Sequence, residues 1–284
     1  MTRVADLPDG WASDPYLLAE LGARDVLAAW STPAALVVAL DAGRRGTGLH
    51  GLGDPVGVAA LLDVHAGEIA ALAPDYLTAT RGTWDAVTTA DRLGLAARGS
   101  DWDWWCTHGP LDVDTDGVVR LGEGSADLAL VADCLARAHP AASTRPDDPA
   151  VLGWWGVPAR EVLVGVIGAV RLGEGLAPHL VSLGVDPVAR GRGLAGRLLG
   201  AAVRDALREP VEIGPSCVSL GMYADNDAAR RVYQRLGWTL AHEFTSRDRV
   251  GRHVHGVEIG HRAPERAHGA EGAHEPADQD LTGA

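Results

Sequence analysis

The stretch that decides the fold runs from Val185 to Gly196 and reads VDPVARGRGLAG. It follows the apolar segment PHLVSLGV, which predicts a strand, and it leads directly into LAGRLLGAAVRDALRE. The latter segment has apolar residues at helical spacing, so it predicts an amphipathic helix that begins at the glycines. The first N–H groups of a helix lack internal partners and carry partial positive charge. The order strand, glycine turn, helix therefore predicts an anion-binding loop that suits a pyrophosphate.

A second glycine-rich stretch, RGTGLHG from Arg45 to Gly51, has a similar composition but a different context. It runs into GLGDP, and a proline disfavours helical backbone at the residue that precedes it. We therefore expect a loop over residues 41–55 and no helix that starts at these glycines. No Gly-Lys-Ser or Gly-Lys-Thr follows the glycines, so a Walker-type nucleotide loop is excluded.

A second constellation lies downstream in SLGMYADNDAARRVYQRLGW, residues 219–238. Asn226 is a good helix N-cap, and Gly237 is a typical residue just past a helix end. Tyr233 falls on the apolar face of the helix between them. A tyrosine on such a face is usually part of the core. A catalytic role is the alternative.

Together the stretches at residues 185–196 and 219–238 resemble the GNAT N-acetyltransferase superfamily. Members have a strand that ends in an Arg/Gln-x-x-Gly-x-Gly/Ala loop and a helix, followed by an Asn-x-x-Ala-x-x-hydrophobe-Tyr helix. Here the first motif is RGRGLA at residues 190–195, and the second is NDAARRVY at residues 226–233. Gly237-Trp238 stands where the family commonly has glycine and an aromatic residue. The resemblance covers roughly residues 116–260.

The resemblance implies transfer of an acetyl group from acetyl-CoA to the amine of a small molecule or peptide. It places the pyrophosphate on the loop and the pantetheine along the preceding strand, with a bulge for which Gly184 is suited. Asn226 would lie near the pantetheine arm. The implied cofactor-binding residues are Leu183, Gly184, Val185, Arg190, Gly191, Arg192, Gly193, Leu194, Ala195 and Asn226.

The resemblance also suggests catalytic residues. Tyr233 matches the tyrosine that often protonates the departing thiolate. Many relatives carry a glutamate base on or before the bulged strand, whereas this strand reads HLVSL from His179. His179 is the candidate base because its ordinary pKa lies near neutrality. A histidine that merely faces a loop is the alternative, and Glu174 is a further candidate.

We expect a mixed α/β (α+β) fold, with a central mixed β-sheet flanked by helices. Residues 116–260 would form the GNAT domain. Residues 1–115 would form a second, degenerate GNAT-like α/β domain, similar to tandem relatives such as mycothiol synthase. Residues 261–284 have almost no large apolar side chains, so we expect a disordered tail.

Composition narrows the function classes. The formal net charge of -13 argues against general nucleic-acid binding. The amino terminus lacks the apolar region of a secretory signal, and no segment reads as a membrane span, so we expect a soluble protein. Cys106, Cys134 and Cys217 lie far apart without CxxC pairing, so we expect a reducing cytoplasm. His253 and His255 would share a strand face, but no carboxylate or cysteine completes a metal spacing, so no metal is expected. Whether the chain assembles as a homodimer stays open.

Three elements are predicted in the first half. Residues 14–30 have apolar residues at helical spacing and predict a helix. AALVVAL, residues 34–40, predicts a buried strand. SDWDWWCTHGP alternates polar and aromatic residues, which is typical of a half-buried strand. Its tryptophans would fill a core, with stacking against a ligand as the alternative.

Two other function classes stay open. A noncatalytic acyl-CoA-binding or interaction module would keep the anion loop without the chemistry, and the missing glutamate favours it. The presence of both Asn226 and Tyr233 opposes it. A self-association scaffold built on the aromatic first half would bind no CoA.

Overall fold

The structure is a computed structural model, and it describes residues 2–8, 10–96 and 99–250. These residues form a mixed sheet of twelve strands in the order β1-β2-β3-β4-β5-β12-β6-β11-β10-β9-β8-β7. The strands are β1 Thr2–Arg3, β2 Asp25–Ser31, β3 Ala35–Asp41, β4 Thr47–Gly53, β5 Tyr76–Thr80, β6 Ser100–Thr107, β7 Val119–Arg120, β8 Val151–Ala159, β9 Val162–Arg171, β10 Pro178–Val185, β11 Val218–Tyr223 and β12 Thr239–Asp248.

Seven α-helices within the described residues pack on this sheet. They are α1 Pro55–Val64, α2 Ala66–Ala71, α3 Thr83–Ala86, α4 Ala90–Leu93, α5 Ser125–Ala138, α6 Leu194–Ala206 and α7 Asp227–Arg235. A π-helical turn covers Leu17–Leu21, and short 3-10 turns cover Val4–Asp6, Gly43–Arg45 and Pro187–Ala189.

Helices cover both faces of the sheet. Trp155 and Ile167 pack in one core with α6, while their neighbours Trp154 and Val166 pack in another core with α5. Successive side chains of a strand point to opposite faces, so the two helices lie on opposite sides. The predicted fold class, a central mixed sheet flanked by helices, is confirmed.

Strand β3 shows the same layering in the first half. Leu36, Val38 and Leu40 pack with the π-helical turn, whereas Ala35 and Val37 pack with α1 and α2. Because both faces are covered, the strand is apolar without alternation. The strand predicted at residues 34–40 is therefore confirmed, shifted by one residue.

The two halves of the chain meet in the middle of the sheet. Strand β12 pairs with β5 on one side and with β6 on the other, and β6 also pairs with β11. The first half thus contributes β6 to the strands of the second half, and the second half contributes β12 to those of the first. The hydrogen-bonded sheet is continuous, and the domain division at residue 115 stays a prediction.

The helix predicted over residues 14–30 is wrong for its second half. The structure has the π-helical turn at Leu17–Leu21 and then strand β2. Strand β2 pairs antiparallel with β3 from Val26 to Ser31. Alanine and leucine are among the best helix formers, but helix propensity is a weak determinant, so the pairing with β3 overrides that local preference.

The loop predicted over residues 41–55 is also wrong, because Thr47–Gly53 form β4. Gly48 lies against the ring of Tyr76, and a Cβ on Gly51 would approach Val58 within 2.5 Å. These glycines therefore permit close packing in a strand rather than a turn. The following proline begins α1 at its first position, where its missing N–H costs no hydrogen bond.

Strand β6 is confirmed, but its second half is buried on both faces and not half-buried as predicted. Trp102, Trp104 and Trp105 are each at most 3% exposed, which confirms that they fill the core. The predicted tail at residues 261–284 and the pair His253 and His255 lie outside the described residues.

Two absences concern only the described part of the chain. None of its helices is long and apolar enough to cross a bilayer. It also contains no group of three or more histidine, cysteine, aspartate or glutamate side chains that could hold a metal ion.

Candidate functional site

The amino terminus of α6 is open. The helix begins at Leu194, directly after Gly193, and no side chain caps it. Gly191 and Gly193 have φ angles of +77° and +75°, a left-handed region that favours glycine. A Cβ at either position would meet nothing within 4 Å, so the loop faces open space. The first N–H groups of α6 are therefore available to an external anion.

The amino terminus of α1 differs from that of α6. It also follows a strand, but the carboxylate of Asp54 accepts a hydrogen bond from the backbone N–H of Gly57 at 2.8 Å. The chain's own carboxylate thus occupies the position that an external anion would take. The stretch from Arg45 to Gly51 makes no anion loop, as predicted, although the reason is the strand and this cap.

A cleft of about 960 Å³ lies in front of α6. It joins the anion loop to the end of β10, to the first turns of α7 and to the end of α5. The predicted cofactor residues that line it are Leu183, Gly184, Val185, Arg190, Gly191, Gly193, Leu194, Ala195 and Asn226. Arg192 is not among the lining residues, and its guanidinium reaches back to the carbonyl of Val188 at 3.5 Å.

Two arginines line the cleft, Arg190 beside the loop and Arg235 in the last turn of α7. The Nε of Arg190 donates to the carbonyl of Val185 at 3.1 Å, which holds its guanidinium near the loop. Two positive charges beside an uncapped helix amino terminus attract phosphate groups.

Strands β10 and β11 separate beside this cleft. They pair in parallel only at His179 with Ser219 and at Leu180 with Leu220. On its other edge, β10 has a register shift against β9 between Val181 and Gly184. The strands therefore diverge beyond Leu180, and a gap opens between them.

The bulge is present, but Gly184 is not the residue that makes the turn. Ser182 has φ of +55°, whereas Gly184 pairs with Val166. A Cβ on Gly184 would lie 3.1 Å from the Cβ of Ala138 and 3.3 Å from that of His139. Glycine at this position instead lets the end of α5 approach the strand.

Tyr233 lies where the cleft meets the gap. A small cavity of about 20 Å³ occupies the gap, and Leu183 and Tyr233 line both it and the cleft. The rings of Trp105 and Trp238 pack around Tyr233 with centroids 5.9 Å away. Burial raises the pKa of Tyr233 well above its ordinary value, so the hydroxyl keeps its proton.

His179 is buried on β10 and does not face a loop. Its Nδ1 lies 2.8 Å from Oε1 of Glu20 and 2.9 Å from Oγ of Ser219. Its Nε2 is buried and has no hydrogen-bond partner among the described residues. Glu174, the other candidate base, is exposed in the turn before β10 and lines no part of the cleft.

Glu20 is the residue that sequence reasoning missed. Its Oε1 accepts hydrogen bonds from Nε1 of Trp104 at 2.7 Å and from Oγ of Ser219 at 2.9 Å. Burial alone would raise the pKa of this carboxyl, but attraction and hydrogen bonding by His179, with these two donors, lower it below the ordinary value. No local pattern in the sequence marks this glutamate, because its partners lie on β6, β10 and β11.

Other residues were missed because they reach the cleft from distant parts of the chain. Ala138, His139 and Ala141 line it from the end of α5, and Arg235 lines it from α7. Asn226 caps α7 as predicted, because its Oδ1 accepts from the N–H of Ala229 at 3.1 Å.

Residues 129–238 match the model of the Acetyltransferase (GNAT) family. The match includes the anion loop, the gap between β10 and β11, and α7. No curated protein matches the chain.

Several solved structures are similar to the chain. A GCN5-related N-acetyltransferase from Kribbella flavida has 18% identity and a TM-score of 0.48, and the match covers 83% of this chain and 93% of that one. One from Sphaerobacter thermophilus has 19% identity and a TM-score of 0.48, with 75% and 76% covered. A tandem GNAT protein from the clavulanic acid biosynthesis pathway has 14% identity and a TM-score of 0.41, with 75% and 78% covered. These likenesses carry no argument about activity.

Proposed function

We propose that the chain, whose residues 129–238 match the Acetyltransferase (GNAT) family, transfers the acetyl group of acetyl-CoA to the amine of a small molecule or peptide. One observation carries the proposal. The uncapped amino terminus of α6 opens onto a cleft that continues to Tyr233 and the gap between β10 and β11.

The residues present fit acetyl-CoA. The N–H groups from Gly191 to Ala195 would hold the pyrophosphate, with Arg190 adding charge. The diverging end of β10 offers backbone groups to the pantetheine arm. In the gap, Oγ of Ser182 is buried without a hydrogen-bond partner among the described residues, so it is available to a polar group of the cosubstrate.

When bound, acetyl-CoA supplies an activated acetyl group. The amine nitrogen forms a bond to the acetyl carbon, and the bond from that carbon to sulfur breaks. The amine loses one proton and the sulfur gains one, so the reaction needs a base and an acid on this chain. Holding both reactants together contributes as well.

Tyr233 is the proposed acid. Its place at the junction of the cleft and the gap puts its side chain beside the path of the pantetheine arm. Because burial keeps the phenol protonated, the hydroxyl can donate to the departing sulfur.

His179 is the proposed base. It stands one residue before Leu180, the last residue of β10 that pairs with β11, next to the gap. The carboxylate of Glu20 orients the imidazole through Nδ1, which leaves Nε2 to accept the proton of the amine. This chain thus has His179 where many relatives have a glutamate on the strand, and Glu20 from the first half orients that histidine.

The test is coenzyme A release from acetyl-CoA in the presence of a panel of amines, with mass spectrometry of the acetylated product. We expect amine-dependent release that the variant H179Q loses. Acetyl-CoA binding without transfer to any amine would favour the noncatalytic acyl-CoA-binding module instead. Failure to bind acetyl-CoA would remove both.

A further inference from the structure

A second cavity lies at the junction of the two halves of the chain, apart from the cleft. It has a volume of about 40 Å³. The π-helical turn, β3, β4 and β6 surround it, and His179 of β10 lines it as well. No residue lines both this cavity and the cleft or the cavity in the gap. We call it the junction cavity.

Two buried imidazoles in the junction cavity have unused nitrogen atoms. His50 and His179 are each 2% exposed and line the cavity. The Nε2 atom of each is buried and lacks a hydrogen-bond partner among the described residues. Because buried polar atoms are normally paired, two unpaired ones on residues that line one cavity are available to a bound ligand.

The protonation of His50 follows from its neighbours. Burial and the nearby charge of Arg24 lower the pKa of His50 to about 3, so the ring is neutral. Its Nδ1 lies 3.1 Å from the hydroxyl of Tyr16, whose pKa burial raises well above its ordinary value. When the phenol donates to Nδ1, Nε2 of His50 carries the ring proton. In this tautomer His50 offers an N–H donor to a ligand of the junction cavity.

A positive charge lies beside that donor. Arg24 is half-buried and lines the cavity, and it forms no ion pair with any described residue. Arg45 lines the cavity too, and the exposed Asp41 marks where it opens to solvent. A guanidinium and an N–H donor together suit a carboxylate.

Other lining residues suit an amine. His179 lines the cavity, and the carboxylate of Glu20, which also lines it, lies 2.8 Å from Nδ1 of His179 and supplies negative charge. Tyr16, Trp102 and Trp104 line the cavity too. An ammonium group beside a carboxylate and aromatic faces is favourably placed.

We propose that the junction cavity binds the acceptor and that the acceptor is a small amino acid, with its carboxylate at Arg24 and His50 and its amine at His179. This inference rests on the proposed acetyl transfer. The cavity volume accommodates about three water molecules, which matches the polar head of such a ligand, and the side chain would extend toward the opening.

The location relative to the acetyl group supports this assignment. Glu20 contacts His179 and Ser219, which form the first of the two pairs that join β10 to β11 before the gap. Gly221, two residues after Ser219, lines the cavity in the gap and pairs with Trp104, which lines the junction cavity. An amine at His179 therefore lies next to the gap, on the face where Gly221 has no side chain.

The experiment compares matched ligands by ligand-observed NMR titration of the full chain, with and without coenzyme A. Glycine and L-alanine carry the carboxylate, and glycinamide and L-alaninamide lack it. We expect the acids to bind at least tenfold more tightly than the amides. The variant R24Q should lose this preference, while R44Q, which removes an exposed neighbouring arginine outside the cavity, should keep it.

Two results would overturn the inference: equal binding of acid and amide, or binding of neither while coenzyme A still binds. In either case the proposed acetyl transfer stands, with another acceptor. If coenzyme A itself does not bind, the proposed function fails. As a kinetic readout, R24Q should raise KM for the amino acid far more than it lowers kcat, because Arg24 is placed on the carboxylate and not on the reacting atoms.

Discussion

The carboxylate of Glu20 lies 2.8 Å from Nδ1 of His179, although 159 residues separate them along the chain. Glu20 belongs to a π-helical turn in the first half, and His179 belongs to β10, whose end lines the cleft in front of α6. The first half of the chain thus completes the candidate site, because it supplies the partner of the proposed base.

The first prediction concerns stability in acid. The pKa of Glu20 is lowered in the folded chain, so its ionised form stabilises the fold above the ordinary pKa, and this stabilisation is lost as the pH falls below about 4.5. The variant E20Q should lose about 2 kcal/mol of unfolding free energy at pH 7, because a hydrogen-bonded buried charge is removed. The difference should shrink below pH 4.5. Urea unfolding across this range measures it, and parallel curves for the two proteins would contradict it.

The second prediction concerns His50, whose pKa of about 3 lies below the ordinary value near 6.5. Between these values the unfolded chain binds a proton that the folded chain does not. Stability is therefore lost as the pH falls from about 6.5 to about 3, by up to about 1.4 kcal/mol per pH unit from this group. The variant H50Q should lose stability less steeply between pH 6.5 and 5. Equal slopes in chemical unfolding would show that His50 protonates in the folded state.

The third prediction concerns Tyr233. The variant Y233F keeps the ring that packs against Trp105 and Trp238 and removes the hydroxyl. We expect kcat to fall about 100-fold, a typical loss for a general acid. The dissociation constant of acetyl-CoA and the melting temperature should stay the same, and both are measured as controls. Unchanged turnover would remove Tyr233 as the acid.

The features that depend only on residues close together in the sequence could be predicted. The loop from Arg190 to Ala195, the cap at Asn226 and the helix that carries Tyr233 each follow from residues within a few positions. Strand β4 could not be predicted in this way, since the purpose of Gly48 and Gly51 shows only when Tyr76 and Val58 pack against them.

The partners of the site were equally hidden from local patterns. Glu20 reads as one charged residue in a short apolar turn until β10 and β11 are placed beneath it. The end of α5 reaches the cleft only because Gly184 allows close packing. These contacts are set by the tertiary fold, and no spacing in the sequence encodes them.

The central claim is that the open amino terminus of α6 holds the pyrophosphate of acetyl-CoA. The variant G193D places a carboxylate where α1 has Asp54, and G193N places an uncharged group of the same shape there. Aspartate and asparagine both tolerate the left-handed backbone better than most residues. Comparing the two variants therefore isolates the effect of the charge.

Calorimetric titration with acetyl-CoA measures this binding most directly. We expect the natural chain to bind, G193N to keep most of its affinity and G193D to lose at least tenfold. The account is contradicted if the natural chain does not bind acetyl-CoA, or if G193D binds as tightly as G193N.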